Sequence, residues 1–324
     1  PICPVNPSNL PLTHEVEISA DDLTIYGFTT LNAGKLTVTA EAGDVFISGG
    51  MDLNFKQGTI TAIAGEVDPP QALALVQTET PIPAQSGRVF LGEYRSGDGS
   101  PDTSTDAATL RFGTLNINAE QTVAEHATLG DADVAGVLTV NGEFHSTSSD
   151  FFGASATFTD NSAVVLGDSQ THYNYIDSST FDFTGAVSMN TNHQVIISAS
   201  DFNPGAVQTL TPSAPAAGSS VKISGGNLIL SQVGIRAATI ELNAKSNGFI
   251  GFSGGALAYN TAKVGVLDGS NQTSTASVDL SNVEMRGFGA GNTISFAAQN
   301  ILSVHGTDSA LTGANALFRV SSSE

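Results

Sequence analysis

Tryptophan is absent from this chain of 324 residues, and cysteine occurs once, as Cys3. A single cysteine excludes a disulfide within the chain and any metal site built from several thiolates. Cys3 is either a free thiol or half of a bond to another chain. Charge is also scarce: 13% of residues are charged, about half the usual globular share. What charge there is falls mostly on one side, 31 acids against 11 bases, for a formal net charge of −20. So acidic a surface repels phosphate, which sets nucleic acid and anionic membrane surfaces aside as partners. No apolar run approaches the roughly 20 residues of a membrane-spanning helix, so no membrane insertion is expected. The start at Pro1, without Met, predicts a processed N-terminus from which a signal peptide has been removed.

Helical signals are missing too: no heptad pattern and no amphipathic stretch of helical period stands out. Strand signals fill the chain instead. An apolar–polar alternation ending in Ala recurs five times, as LTVTAE (36–41), LNINAE (115–120), VIISAS (195–200), IELNAK (240–245) and ISFAAQ (294–299). A strand-period phrase reused from end to end predicts stacked β-structure. Between Asp22 and Val67 the stretches DLTIYGF, KLTVTAE, GDVFISG, MDLNFKQ and GTITAIAGEV read as five short strands, most of them separated by Gly, Asn or Asp. LSQVGIR (230–236) reappears as LSNVEMR (280–286), and TIELNAKSNGFIGFSGGAL (239–257) is echoed by TISFAAQNILSVHGTDSAL (293–311). Two echoes in the same order predict duplicated units of about fifty residues. The even spacing of the first three phrases predicts about four coils, of about twenty residues each, between neighbours.

The expected fold is therefore all-β: a parallel β-helix over 20–324, preceded by an extended N-terminal arm and first strand over 1–19. Excursions are expected at about 68–86, 96–106 and 203–219, the first and last rich in proline. In the arm, PICPVNPSNLPL, prolines forbid helix and favour extended backbone. In THEVEIS, alternation places Val16 and Ile18 on one face and Glu15 and Glu17 on the other. Joined β-sandwiches are the other all-β architecture that the pattern admits.

The residues SVKISGGNLILSQVGIRAATIELNAKS and KLTVTAEAGDVFISGGMDL resemble the repeats of filamentous haemagglutinin-like exoproteins. The resemblance covers roughly 22–67 and 221–311. It implies a right-handed parallel β-helix and an extracellular or cell-surface adhesin or scaffold. It also implies secretion from a Gram-negative bacterium, many members using the two-partner route. It carries over no catalytic residue. The Asn6-Pro7 pair does not match the secretion-domain signature of that family.

Chemistry is quiet by comparison. The six histidines, at 14, 126, 145, 172, 193 and 305, show no HxH or HxxxH spacing for zinc. Asp21-Asp22 is the one adjacent Asp pair and reads as a turn before a strand. Asp98, Asp102 and Asp106 place hard oxygens on a polar loop, which makes Ca²⁺ the cation to test there, although the spacing is not that of an EF-hand. His172, Tyr173 and Tyr175 in THYNY form either an aromatic sugar-contact surface or a strand edge. The Thr-x-Thr pairs 37/39 and 59/61 resemble ice-binding pairs but lack a chain-wide repeat.

No catalytic or cofactor-binding residue is assigned, and a non-enzymatic structural or adhesive protein is expected. An unpaired solenoid end recruits further strands unless capped. Pro1, Cys3, Pro4 and Pro7 of the arm, with Val16 and Ile18 of the first strand, are the candidate assembly residues. They either cap their own end or join the next copy in a homopolymeric filament. The expected partners are other copies of the chain or a cell-surface glycan. A β-helical polysaccharide-active enzyme and a phage or virus fibre are the alternatives.

Overall fold

The computed structural model describes residues 13–26, 30–48, 50–64, 87–92, 108–160, 173–203, 214–245, 248–265, 275–298, 301–305, 311–312 and 317–322. Every regular element among them is a strand and none is a helix, so the chain is all-β. Contacts divide it into two compact units, Pro1–His145 and Ser146–Glu324.

In the first unit, parallel strands stand in three columns that the chain visits in turn. Glu15–Ala20 pairs with the second half of Thr30–Ala40, which pairs with Asp52–Ala62, which pairs with the middle of Thr109–Glu125. A second column takes Leu23–Tyr26, Val45–Ser48, Arg88–Gly92 and residues 121–125. A third takes residues 30–33, 52–55, 109–112 and the short strand Thr128–Leu129. Alternation supplies the core: Val38, Ile60 and Ile117 are register neighbours, and each is fully buried. Gly58, between Leu36 and Leu115, leaves room for the ring of Phe55, whose Cε2 lies 2.2 Å from where a Cβ would stand.

Side chains step between rungs at a separation of 22 residues. Ser19 Oγ donates to Glu41 Oε1, Asp44 N to Asp22 Oδ1, and Gln121 Nε2 to Glu143 Oε1. Asp22 thus accepts from the residue that leads into the next rung's strand, and Asp21-Asp22 itself bends before Leu23–Tyr26, the turn expected there. Asp44 in turn accepts from Arg88 N at 2.9 Å and pairs with the Arg88 guanidinium at 2.9 Å. The coil count needs correcting. Leu36 stands beside Gly58 and Gly58 beside Leu115, so two steps separate the first two phrases where even spacing predicts about four. The residues at 65–86 and 93–107, outside the described set, fall in that interval and lengthen it.

The second unit repeats the plan. Column A holds Tyr173–Asp177, Gln194–Ser198, residues 228–231, residues 249–253, Ser277–Ser281 and Ile301–His305. Column B holds Asp150–Gly153, Thr180–Phe183, Asp201–Phe202, and then parts of Leu228–Ala244 and Phe249–Val264, followed by Glu284–Gly287 and Leu311–Thr312. Column C runs from Ser155–Asp160 through Ala186–Thr191, Ser220–Gly225, residues 239–244, residues 261–264 and Thr293–Ala298 to Leu317–Ser322. Two phrases that look alike in sequence part here: VIISAS belongs to column A and IELNAK to column C. Alternation sets which face a side chain takes, not which column its strand joins.

The corner between columns A and B is a left-handed residue in rung after rung. Ser148, Ser178, Ala199, Gln232, Gly254 and Asn282 have φ between 45° and 65°. One such residue turns the chain without a loop. At the other end of column B, Gly185 passes so close to its neighbour that a Cβ would stand 2.7 Å from Ala154 O. The excursion expected at 203–219 is described at its ends only, and Arg236 ties both: Nε donates to Asn203 O at 2.9 Å and a terminal nitrogen to Ala214 O at 3.2 Å.

Candidate functional site

Among the described residues, the outward face of column A in the second unit groups several half-buried apolar side chains with the exposed Phe249. In Tyr173–Asp177, alternation buries Asn174 and Ile176 and turns Tyr173, Tyr175 and Asp177 outward. Register extends each of these positions into a row. Tyr175 stands beside Ile196, Ile196 beside Ile229, and Ile229 beside Gly251. These three side chains are half-buried, and Phe249, at 41% exposure, is one of three large exposed apolar residues among those described. Parallel to this row runs a polar one: Asp177, Ser198, Ser231, Ser253 and Ser281 in successive register.

The rings of Tyr173 and Tyr175 meet edge to face, centroids 6.3 Å apart and 83° between planes. Burial, then the carboxylate of Asp177, then the phenol of Tyr173 raise the Tyr175 phenol above its ordinary 10.0. It is a neutral hydroxyl at physiological pH. Asp177 accepts from Ser198 Oγ, one rung on, and from Ser178 Oγ at 3.3 Å. His172, expected beside these tyrosines, lies outside the described residues.

Behind this face the corner is held by buried serines. Ser146 Oγ and Ser179 Oγ lie 2.7 Å apart, and Ser179 N donates to Ser200 Oγ at 3.0 Å. Ser200 Oγ in turn donates to Ser198 O. Below the edge at Tyr173 sits a second buried polar group. Thr191 Oγ1 donates to Asp160 Oδ2 at 3.2 Å and accepts from Asn174 Nδ2 at 3.1 Å and from His193 N at 3.0 Å. His193 Nε2 stands 3.7 Å from the same carboxylate oxygen, beyond hydrogen-bond length. Threonine, histidine and aspartate together suggest a nucleophile set. Here the hydroxyl's single proton points to the Asp160 carboxylate and not to the His193 imidazole, and all four residues are buried away from any substrate. The arrangement satisfies Asn174, which occupies an inward position in register with Val195.

Of the expected assembly residues, Val16 and Ile18 lie on Glu15–Ala20, in register with Leu36 and Val38. Leu36 and Val38 are buried, at 1% and 0% exposure, while Val16 and Ile18 are half-exposed. Pro1, Cys3, Pro4 and Pro7 lie outside the described residues, as do Asp98, Asp102 and Asp106. Among the described residues, no group of three or more His, Cys, Asp or Glu is placed to hold a metal ion, and no helix is long and apolar enough to cross a membrane. The Thr-x-Thr pairs do stack, Thr37 on Thr59 and Thr39 on Thr61, but Asn116 and Asn118 follow in the next rung.

Sequence reading missed the left-handed corner and its serines. The signal was present as Ser-Ser-Asp-Phe at 148–151, Ser-Ser-Thr-Phe at 178–181 and Ala-Ser-Asp-Phe at 199–202. No protein-family model, curated protein or solved structure matches the chain. The likeness to filamentous haemagglutinin-like repeats therefore rests on the phrases themselves.

Proposed function

We propose that the chain winds as a right-handed parallel β-helix and serves as a non-enzymatic extracellular structural or adhesive protein, associating with copies of itself at its first strand. Columns of parallel strands visited in a fixed order support the winding. The observation that carries the association is the apolar row of Glu15–Ala20. Val16 and Ile18 are half-exposed, where the same row one rung later is fully covered. Among the described residues this strand is paired along one side, with residues 35–40. A strand with one open side and exposed apolar residues gains a ladder and a cover from a second chain. Glu15 and Glu17 alternate with the apolar pair, which gives the edge a defined inward face.

Electron microscopy of the purified chain at physiological salt tests this reading. Regular filaments are expected, and Val16→Asp with Ile18→Asp is expected to leave isolated particles. Particles that stay single in the parent protein, or filaments unchanged by the double substitution, contradict it.

A further inference from the structure

We propose that the outward face of column A, between Tyr173 and Ser253, is a binding platform for a neutral polysaccharide. This gives the adhesive part of the proposed function its ligand class and rests on that reading.

The argument is the layering of the face. A pyranose ring has apolar C–H faces and a rim of hydroxyls. The platform has an apolar row, Tyr175, Ile196 and Ile229, and beside it a polar row, Asp177, Ser198, Ser231 and Ser253. The two rows run in register from rung to rung, about 4.8 Å apart along each row. A sugar laid with its C–H face on the apolar row sets its rim against hydroxyls and a carboxylate, each able to bond it. The row ends at Gly251, which carries no side chain. A Cβ there would stand 3.6 Å from Phe249 Cε2, so the Phe249 ring borders the space that Gly251 leaves. An exposed aromatic bordering a notch, next to hydroxyl groups, is the arrangement that stacks a sugar.

Charge selects among glycans. Asp177 lies in the polar row, Asp279 follows Gly251 in the apolar one, and the chain carries −20 overall. Uronic-acid and sulfated chains are repelled by such a face, and neutral chains are not. The first unit offers a contrast. Its outward aromatics Phe46 and Phe90 stack on each other at 4.6 Å and 2°, and the Arg88 guanidinium lies 5.0 Å from the Phe90 ring. Those rings face each other and a cation, and Arg88 is itself paired with Asp44.

Affinity electrophoresis of the full chain tests the assignment. The probes are hydroxyethylcellulose, mannan and dextran, with polygalacturonate and heparin as anionic comparators. Retardation by at least one neutral polysaccharide is expected, and none by the anionic ones. Tyr175→Ala with Phe249→Ala is expected to weaken binding about tenfold or more, the scale of losing two aromatic contacts. Phe249→Ser alone, at an exposed position, keeps the test valid if the double variant fails to fold. Absence of retardation by every neutral probe overturns the proposal. So does retardation that both variants leave unchanged. Filament formation is read separately, so a glycan-blind protein that still polymerises rejects the platform and keeps the assembly edge.

Discussion

The rings of Phe151 and Phe181 lie face to face across neighbouring rungs, centroids 4.5 Å apart and 7° from parallel. Phe202 continues the stack at 4.8 Å from Phe181, and Phe158 meets the same central ring edge-on at 5.8 Å. Phe181 therefore touches aromatic carbon on three sides, at the centre of the inward row of column B. Ile235, Leu257 and Met285 continue the row beyond Phe202.

Phe181→Ala is expected to cost about 3–5 kcal/mol, the range for emptying a large aromatic site in a packed core. Phe202→Leu, which swaps one ring for the aliphatic type found in later rungs, is expected to cost much less. Denaturant unfolding of both variants measures the difference. Equal losses would mean that ring stacking at Phe202, and not buried volume, carries most of the stabilisation.

The corner serines give a second expectation. Ser179→Ala removes the partner of Ser146 Oγ and the acceptor for Ser149 N, which lies 3.3 Å away. Leaving buried groups without partners costs about 1–3 kcal/mol. Ser146→Ala together with Ser179→Ala is expected to cost less than the sum of the single changes, because Ser146→Ala removes the hydroxyl that Ser179→Ala orphans. Strict additivity in a double-mutant cycle would show that the two hydroxyls are not coupled.

Ala199 occupies the left-handed corner with φ 45°, where its register equivalents are Ser178, Gln232, Gly254 and Asn282. Alanine has no side-chain hydrogen bond to offset that conformation. Ala199→Gly is expected to raise stability by about 0.5–1 kcal/mol and Ala199→Val to lower it. The corner is exposed, so packing does not obscure the comparison. A lower melting temperature for the glycine variant would count against strain at this corner.

Much of this architecture was legible in the sequence because alternation reports burial directly. Val16 and Ile18 in THEVEIS, and the alternations in DLTIYGF, GDVFISG and VIISAS, fall in the strands Glu15–Ala20, Leu23–Tyr26, Val45–Ser48 and Gln194–Ser198. MDLNFKQ and the start of GTITAIAGEV fall in one continuous strand, Asp52–Ala62, whose two halves pair in different columns, with Gly58 under the Phe55 ring. Column membership was not legible, since VIISAS and IELNAK carry the same alternation into different columns. The platform was only half legible. THYNY drew attention to Tyr173 and Tyr175, but Ile196, Ile229 and Phe249 join them through register, which no local pattern encodes.

Tyr259 gives the sharpest test of the interior. Its side chain is fully buried, its register neighbours are Ala237 and Gly287, and its hydroxyl finds no partner among the described residues. Burial pushes its phenol from 10.0 up to about 12. A folded-state value above the unfolded one stabilises the fold at low pH. That contribution is complete below pH 10.0 and is lost as pH climbs toward about 12. Tyr259→Phe removes both the titration and the buried hydroxyl, whose desolvation without a partner costs about 1–3 kcal/mol. The variant is therefore expected to be at least as stable as the parent at pH 7, and its advantage is expected to widen through the alkaline range. Every group common to the two proteins cancels in the difference. Urea unfolding at several pH values reads that difference directly. A variant less stable at pH 7, with a parallel pH profile, would mean that the Tyr259 hydroxyl is bonded inside the fold.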